Sequence, residues 1–164
     1  MYADVDYYKT EYCGTLVEES VYPRLARQAS RHLDAITTNK LRFAFPTVEK
    51  DVLTIKDCQC DLVEFLYQVQ QYQSSAHNAV GTVVNADGTV RGKNVSSVTS
   101  GSESISYTSV SGISTAAAEA AKDPKAMLQT IYEIAKSTLS SVKDANGVNL
   151  LYAGPYPGKR GICA

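Results

Sequence analysis

The sequence predicts a mainly α-helical fold: a small bundle of three main helices and a short N-terminal helix, with a β-hairpin-like arm inserted before the last helix. Apolar residues recur at helical spacing in three long segments. A stretch rich in Ser, Thr, Gly and Val separates the last of these segments from the others. With 164 residues, 44% of them hydrophobic and 20% charged, the chain can bury a core. We therefore expect one domain, 1–164, with a helical core at 4–73 and 115–143, an arm at 74–114 and an extended tail at 150–164.

The first two helices are indicated by capping residues and by apolar spacing. A short aromatic-rich helix is predicted between Asp4 and Cys13, with Asp4 or Asp6 as its cap and Gly14 ending it. Residues 15–18, Thr-Leu-Val-Glu, form a capping-box pattern for the second helix. Pro23 either kinks that helix or marks its true first turn, with the start shifted to about residue 22. The predicted buried face is Val21, Leu25, Ala29, Leu33 and Ile36.

The third helix is the most strongly patterned element and is predicted from about Glu49 to Gln73. In the connector before it, residues 40–46, the large apolar residues Leu41, Phe43 and Phe45 alternate with Arg42 and Ala44. This alternation is compatible with a short extended piece. The apolar stripe of the helix is Val52, Ile55, Cys58, Leu62, Phe65, Leu66, Val69 and Tyr72. Three carboxylates lie on another side of the helix: Asp57, Asp61 and Glu64. A solvated face is favoured there over a row of metal ligands, because an amphipathic helix has a solvent-exposed side.

The segment from residue 74 to residue 114 predicts extended structure. Its Asp-Gly pair at 87–88 lies between short apolar runs, as in a hairpin, and a second run covers 105–110. Few large side chains are present, so an arm is favoured over a second domain. Helix returns from Thr115, and Pro124 begins the last helix, which Ala145–Gly147 stops. Its predicted buried face is Leu128, Ile131, Ala135, Thr138 and Val142.

No motif points to a catalytic, cofactor or metal site, and we expect none. The two histidines, His32 and His77, have no nucleophile or orienting acid placed beside them by a recognisable motif. Cys58 and Cys60 lie about 200° apart around a helix, which disfavours a shared zinc ion and favours reduced, partly buried thiols. No apolar run approaches the roughly 20 residues of a membrane span. The first residues lack a secretory pattern, so a protein made in a cytosol is expected.

A basic stripe is the sharpest polar feature of the sequence. Arg24, Arg27 and Arg31 recur at helical spacing on one face of the second helix, and Lys40 and Arg42 extend it. One interpretation is ordinary solvent-facing arginine. The other is an ion-pairing surface for a neighbouring subunit, or one facing passing DNA. The formal net charge of −1 argues against a dedicated nucleic-acid binder.

Several segments together resemble the head–tail connector (adaptor) proteins of tailed bacteriophages with Gram-positive hosts. Residues 2–15 are similar to that family's aromatic Tyr-Gly-Thr entry, and residues 24–37 to its Leu-Ala-x-x-Ala-Ser-x-x-Leu-Asp helix. Residues 102–107, 131–136 and 150–154 resemble the segment before the last helix, the last helix and the Leu-Leu-Tyr-x-Gly ending. The likeness runs in order through most of the chain, although residues 74–114 and 140–149 are longer than the family pattern.

The resemblance implies a non-enzymatic virion protein at the neck, made in the host bacterial cytoplasm. It would form a homo-oligomeric ring, commonly a dodecamer, between the portal protein and a stopper or tail-completion protein, with genomic DNA crossing the channel and no membrane partner. Deleting the tail from Leu150 onward is expected to abolish portal docking and leave the fold intact. The expected inter-subunit residues are Val98, Ile105, Tyr107 and Val110. The expected portal contacts are Leu151, Tyr152, Tyr156, Lys159 and Arg160.

Two alternatives remain open from the sequence. A tail-completion or stopper protein at the same neck would be expected to contain more β-structure. A small cytosolic helical DNA-binding or regulatory protein would need a recognition helix with exposed basic residues and a basic net charge.

Overall fold

The computed structural model describes residues 1–78, 82–84, 90–92, 94–99, 104–108 and 116–154. The mainly α-helical class is confirmed. Within the described residues six helices follow one another along the chain: α1 (Val5–Thr10), α2 (Tyr22–Ile36), α3 (Lys40–Phe43), α4 (Glu49–Asn78), α5 (Ala116–Lys122) and α6 (Pro124–Leu139).

The chain divides into two compact units. The first unit comprises Met1–Tyr67 and Leu128–Ala164. Its core is made by apolar side chains at helical spacing on α2, α4 and α6, with two more from the segment after α6. The fully or almost fully buried members include Leu25, Leu33, Ile55, Leu62, Ile131, Leu139, Val142 and Leu150. The periodicity that predicted these helices therefore also identified most of the core.

The second unit comprises Gln68–Met127. Strands β1 (Thr82–Val84) and β2 (Val90–Gly92) pair antiparallel, as do β3 (Asn94–Thr99) and β4 (Ser104–Thr108). These short ladders do not establish the β-hairpin-like arm, which stays a prediction. Three of the expected inter-subunit residues, Val98, Ile105 and Tyr107, lie in β3 and β4. The fourth, Val110, lies outside the described residues.

The start of α2 decides between two interpretations of Pro23. The helix begins at Tyr22 and Pro23 lies in its first turn, where the missing N–H costs no hydrogen bond. The capping box predicted at residues 15–18 is wrong, because that segment is not helical. The N-cap residue of α2 is Val21, whose side chain forms no capping hydrogen bond. At α1 the structure selects Asp4 over Asp6 as the cap, since Asp4 accepts from the backbone N–H of Tyr7 at 2.9 Å. The helix ends at Thr10, before the predicted end at Gly14.

The connector between α2 and α4 contains one helical turn, α3, so the extended piece suggested for residues 40–46 is wrong at Lys40–Phe43. Thr38 and Asn39 have φ values of 50° and 61°, and this left-handed pair turns the chain into α3. This single helical turn buries Lys40 and Leu41 and leaves Arg42 and Phe43 at the surface. The alternation of Leu41, Phe43 and Phe45 resembled a strand because one turn is too short to show helical periodicity.

Two helix ends and two buried faces also differ from prediction. Helix α4 begins at Glu49 as predicted but continues to Asn78, and α6 ends at Leu139, before the predicted stop. Gly147, at φ 78°, instead turns the segment after α6. Tyr72 and Leu128 were predicted to be buried, and both are exposed.

Candidate interaction surfaces

The cysteine side chains of α4 are inert. Cys58 and Cys60 are free and fully buried, and this burial raises the pKa of Cys58 to about 12 and that of Cys60 to about 11. A thiol with so high a pKa stays protonated near neutral pH and is a poor nucleophile. Among the residues that the structure describes, no group of three His, Cys, Asp or Glu side chains is placed to hold a metal ion.

The carboxylate row of α4 binds the N-terminal segment. Three tyrosine hydroxyls donate to the three carboxylates in turn: Tyr7 to Asp57 at 2.7 Å, Tyr12 to Asp61 at 2.6 Å and Tyr8 to Glu64 at 2.8 Å. The row is therefore neither the purely solvated face nor the metal-ligand row considered above. Burial, followed by the bond to Glu64, raises the pKa of Tyr8 to about 12. The hydroxyl stays protonated and remains a donor up to high pH.

A buried amide holds the residues that precede α1. The Oε1 atom of Gln59, which is 0% exposed, accepts from the backbone N–H of Tyr2 at 2.6 Å and of Ala3 at 3.1 Å. Its Nε2 atom donates to the Ala3 carbonyl at 3.0 Å. The hydroxyl of Ser30 on α2 also donates to Oε1, at 3.2 Å. One side chain thus joins α4, α2 and the start of the chain. The only signal in the sequence is a polar residue between two buried cysteines.

Three arginines line one open cleft on the first unit. The cleft has a volume of about 430 Å³ and is lined by Arg27, Arg31 and Arg42 together with Tyr2 and Asp34, among others. Arg42 pairs with Asp34, Nε to Oδ2 at 2.7 Å, and Asp34 also accepts from the Tyr2 hydroxyl. Arg27 and Arg31 are exposed and have no carboxylate within 4.0 Å in the part of the chain that the structure describes. Their charges face solvent uncompensated.

A second cleft continues this surface. It has a volume of about 360 Å³ and is lined by Arg24, Gln28, Arg31 and His32. Burial lowers the pKa of His32, so the imidazole is neutral near pH 7 and adds no charge. The three arginines predicted as a stripe therefore lie along two adjoining clefts. We call Arg24, Arg27, Arg31 and Arg42 the arginine face.

Lys40 does not extend the arginine face, which corrects the prediction made for it. It is only 5% exposed, and its Nζ donates to the carbonyls of Asn149 at 3.0 Å, Leu150 at 3.2 Å and Tyr152. It also lies 5.5 Å from the centre of the Tyr152 ring. A buried ammonium surrounded by carbonyl oxygens is stabilised by these charge-assisted bonds. Lys40 thereby anchors the segment after α6 to α3.

Burial of this segment overturns one expectation about the tail. Leu150 is 0% exposed, so deletion from Leu150 onward would remove a core side chain and two of the three carbonyls that accept from Lys40. We therefore expect this deletion to destabilise the fold, contrary to the prediction from the sequence. Among the expected portal contacts, Leu151 is half-buried and Tyr152 is 46% exposed. The remaining three lie outside the described residues: Tyr156, Lys159 and Arg160.

An exposed phenylalanine lies beside this anchored segment. Phe43, at the end of α3, is 87% exposed. It lines a cleft of about 360 Å³ with Thr38, Lys40, Ala44, Asn146 and Gly154. We call Phe43, this cleft and Tyr152 the Phe43 face. Sequence reasoning missed it because an alternating Leu-x-Phe-x-Phe pattern predicts that all three side chains point to one buried side.

Comparison with protein-family models, with curated proteins and with solved structures finds no match to this chain. None of the helices in the described ranges is both long enough and apolar enough to cross a membrane.

Proposed function

We propose that this chain is a structural virion protein, a head–tail adaptor that forms a ring between the portal and the stopper or tail-completion protein of a tailed phage. The observation that carries the proposal is the Phe43 face, a surface with an exposed aromatic residue next to the segment that resembles the family's Leu-Leu-Tyr-x-Gly ending. Cys58 and Cys60 are buried thiols with raised pKa values, which supports an assembly role over one that needs a reactive thiol.

The Phe43 face has the physical character of a protein-binding site. A phenylalanine at 87% exposure gains free energy when a partner covers it, and aromatic anchors dominate the binding energy of many interfaces. Lys40 holds the adjoining segment in place through three carbonyls, so little conformational entropy is lost on docking. The portal contacts Leu151, Tyr152, Tyr156, Lys159 and Arg160 continue along the chain from this surface.

The remaining contacts of the proposed ring come from other parts of the chain. The arm contacts adjacent subunits through Val98, Ile105, Tyr107 and Val110, because a β-rich segment with few core residues gains stability by strand addition to a neighbour. Genomic DNA crosses the central channel. No cofactor is required.

The test is docking of purified full-length protein to portal rings of the same phage. Phe43→Ser is expected to weaken co-sedimentation with portal rings at least roughly tenfold, the loss typical of an interface hot spot, with unchanged circular dichroism and thermal unfolding. The matched control is Leu128→Ser, because Leu128 is also exposed (52%) and apolar but does not line this cleft. Deletion of residues 155–164, which spares Leu150, is expected to weaken docking in the same way.

Electron microscopy of assembled necks, with the chain labelled, provides the second measurement. The label is expected in a ring at the portal–tail junction. Normal docking of Phe43→Ser, or a label elsewhere in the virion, would contradict the proposal.

A further inference from the structure

We infer that the arginine face binds the acidic N-terminal segment of a second copy of this chain, so that subunits associate head to tail through ion pairs. This inference rests on the proposed function, in which a ring is formed, and it names the partner of the arginine face. It chooses between the two partners that the sequence left open for the stripe, a neighbouring subunit and DNA.

Charge is segregated between two consecutive stretches of the first unit. Residues 4–19 contain five carboxylates and one lysine, a formal charge of −4. Residues 20–42 contain four arginines and one lysine against a single aspartate, a formal charge of +4. The two stretches remain opposite in charge when Lys40 is left out, which is buried and lies outside the arginine face. Opposite charge suits two surfaces of one chain that meet in a repeated contact. We call residues 4–19 the acidic segment.

The carboxylates of the acidic segment point to solvent. All five are exposed: Asp4, Asp6, Glu11, Glu18 and Glu19. Glu19 pairs with Lys9 at 2.5 Å, and Asp4 caps α1. Asp6, Glu11 and Glu18 form no ion pair within the described ranges. The tyrosines of the same segment bind α4, so the acidic side chains are presented on a backbone that is held in place.

The arginine face offers matching groups in a recess. Arg27 and Arg31 are exposed, line the same cleft and have no carboxylate partner of their own in the described part of the chain. A guanidinium binds a carboxylate through two parallel hydrogen bonds, which makes such a pair directional as well as attractive. Two carboxylates from a neighbour would therefore find two unoccupied guanidinium groups on one surface.

One feature favours a protein carboxylate over the phosphates of DNA. The chain as a whole has a formal charge of −1, so there is no long-range attraction to a polyanion.

The contact is heterologous, because it joins two different surfaces of the same chain. Contacts of this kind generate closed rings when the rotation between neighbours closes, and open filaments when it does not. A ring built in this way would place the arginine face of every subunit against the next acidic segment. Its arginines would then be hidden from the channel.

A charge-swap experiment on the full-length chain tests the inference. Arg27→Glu with Arg31→Glu makes the arginine face acidic, and Glu11→Lys with Glu18→Lys makes the acidic segment basic without touching the Asp4 cap. Each double variant is expected to self-associate at least roughly tenfold more weakly than the wild type at low ionic strength. An equimolar mixture of the two variants is expected to regain wild-type association, because each modified surface then meets its complement.

The control carries the same change in charge at another place. Lys125→Glu with Lys136→Glu reverses two exposed lysines of α6 and is expected to leave association unchanged. Sedimentation velocity measures association in the wild type, the two double variants, their mixture and the control. Association of the wild type is expected to weaken as added salt shortens the Debye length to about 8 Å or less.

Three results would overturn the inference. The first is a wild-type chain that stays monomeric at low salt and the highest soluble concentration. The second is an equimolar mixture of the two double variants that fails to associate. The third is an Arg27→Glu, Arg31→Glu double variant that loses duplex DNA binding while its self-association is unchanged. Docking of Phe43→Ser to portal rings is read separately. Failure of the charge swap therefore leaves the proposed function standing, and failure of portal docking leaves the charge swap interpretable.

Discussion

Replacing Gln59 with methionine should detach the start of the chain from the helical core. The substitution keeps the length and volume of the side chain and removes its hydrogen-bonding groups. Gln59 makes four hydrogen bonds, to the N–H groups of Tyr2 and Ala3, to the Ala3 carbonyl and to the Ser30 hydroxyl. The cost depends on which of these groups keeps another partner.

Two of the four groups have a second partner. The Ala3 carbonyl lies 3.5 Å from the Tyr22 hydroxyl, and the Ser30 hydroxyl donates to the Ala26 carbonyl at 2.8 Å. The Ala3 N–H is buried and would be left unsatisfied, which costs about 1–3 kcal/mol. The Tyr2 N–H is partly buried and adds about 1 kcal/mol. We therefore expect the free energy of unfolding to fall by about 2–4 kcal/mol, a large fraction of the roughly 5–15 kcal/mol typical of a domain.

Urea denaturation followed by circular dichroism measures this loss. Limited proteolysis measures its location, because trypsin should cleave after Lys9 faster once the segment detaches. The matched control is Gln129→Met on α6, an exposed glutamine with one bond to Glu133 at 2.7 Å, which should change stability by less than about 0.5 kcal/mol. A loss below about 1 kcal/mol in Gln59→Met, or unchanged cleavage, would refute the reasoning.

Three further perturbations test other parts of the first unit. Burial raises the pKa values of Tyr8 and Tyr22, so the stability that these groups contribute is complete below the unfolded pKa near 10. This contribution should fall as pH rises from about 10 toward the folded pKa values, by up to about 1.4 kcal/mol per pH unit for each tyrosine. Urea denaturation at several alkaline pH values, with tyrosinate absorbance recorded in parallel, measures the fall. A free energy of unfolding that stays constant over this range would contradict the prediction. Gly14→Ala should cost about 1–3 kcal/mol, since the new Cβ would overlap the buried ring of Tyr8; an unchanged thermal midpoint would argue against that contact. Lys40→Met should lower the free energy of unfolding in urea by about 2–4 kcal/mol, because three carbonyls lose their donor. The control Lys136→Met, at an exposed site on α6, should leave it unchanged. Equal effects of the two variants would contradict the anchoring role of Lys40.

Local signals were sufficient to predict the class and several helix starts. Helix α4 begins at Glu49 and α6 at Pro124, as predicted, because apolar periodicity and a proline in the first turn act within a few residues. The same signals failed where an element was too short to be periodic, at α3. They also failed at Thr15, where a capping-box pattern precedes no helix.

The candidate surfaces were only partly visible in the sequence. The spacing of Arg24, Arg27 and Arg31 identified one face of α2 correctly, because residues three and four apart on a helix are neighbours. Lys40 was assigned to the same face from its charge alone. Its partners are carbonyls 109 to 112 residues further along the chain, and no local pattern announces them.

The sequence by itself determined that this protein is mainly helical, where two of its long helices begin and most of the apolar side chains that make the core, because those properties depend on spacing within a few turns. The tertiary structure alone decided what the polar side chains do. Three carboxylates of α4 accept hydrogen bonds from three tyrosines. Gln59 binds the backbone of Tyr2 and Ala3, which precede it in the chain by 57 and 56 residues. Phe43 lies at the surface. A polar group is satisfied by whichever partner the fold brings within about 3 Å, and that partner is usually far away in the chain.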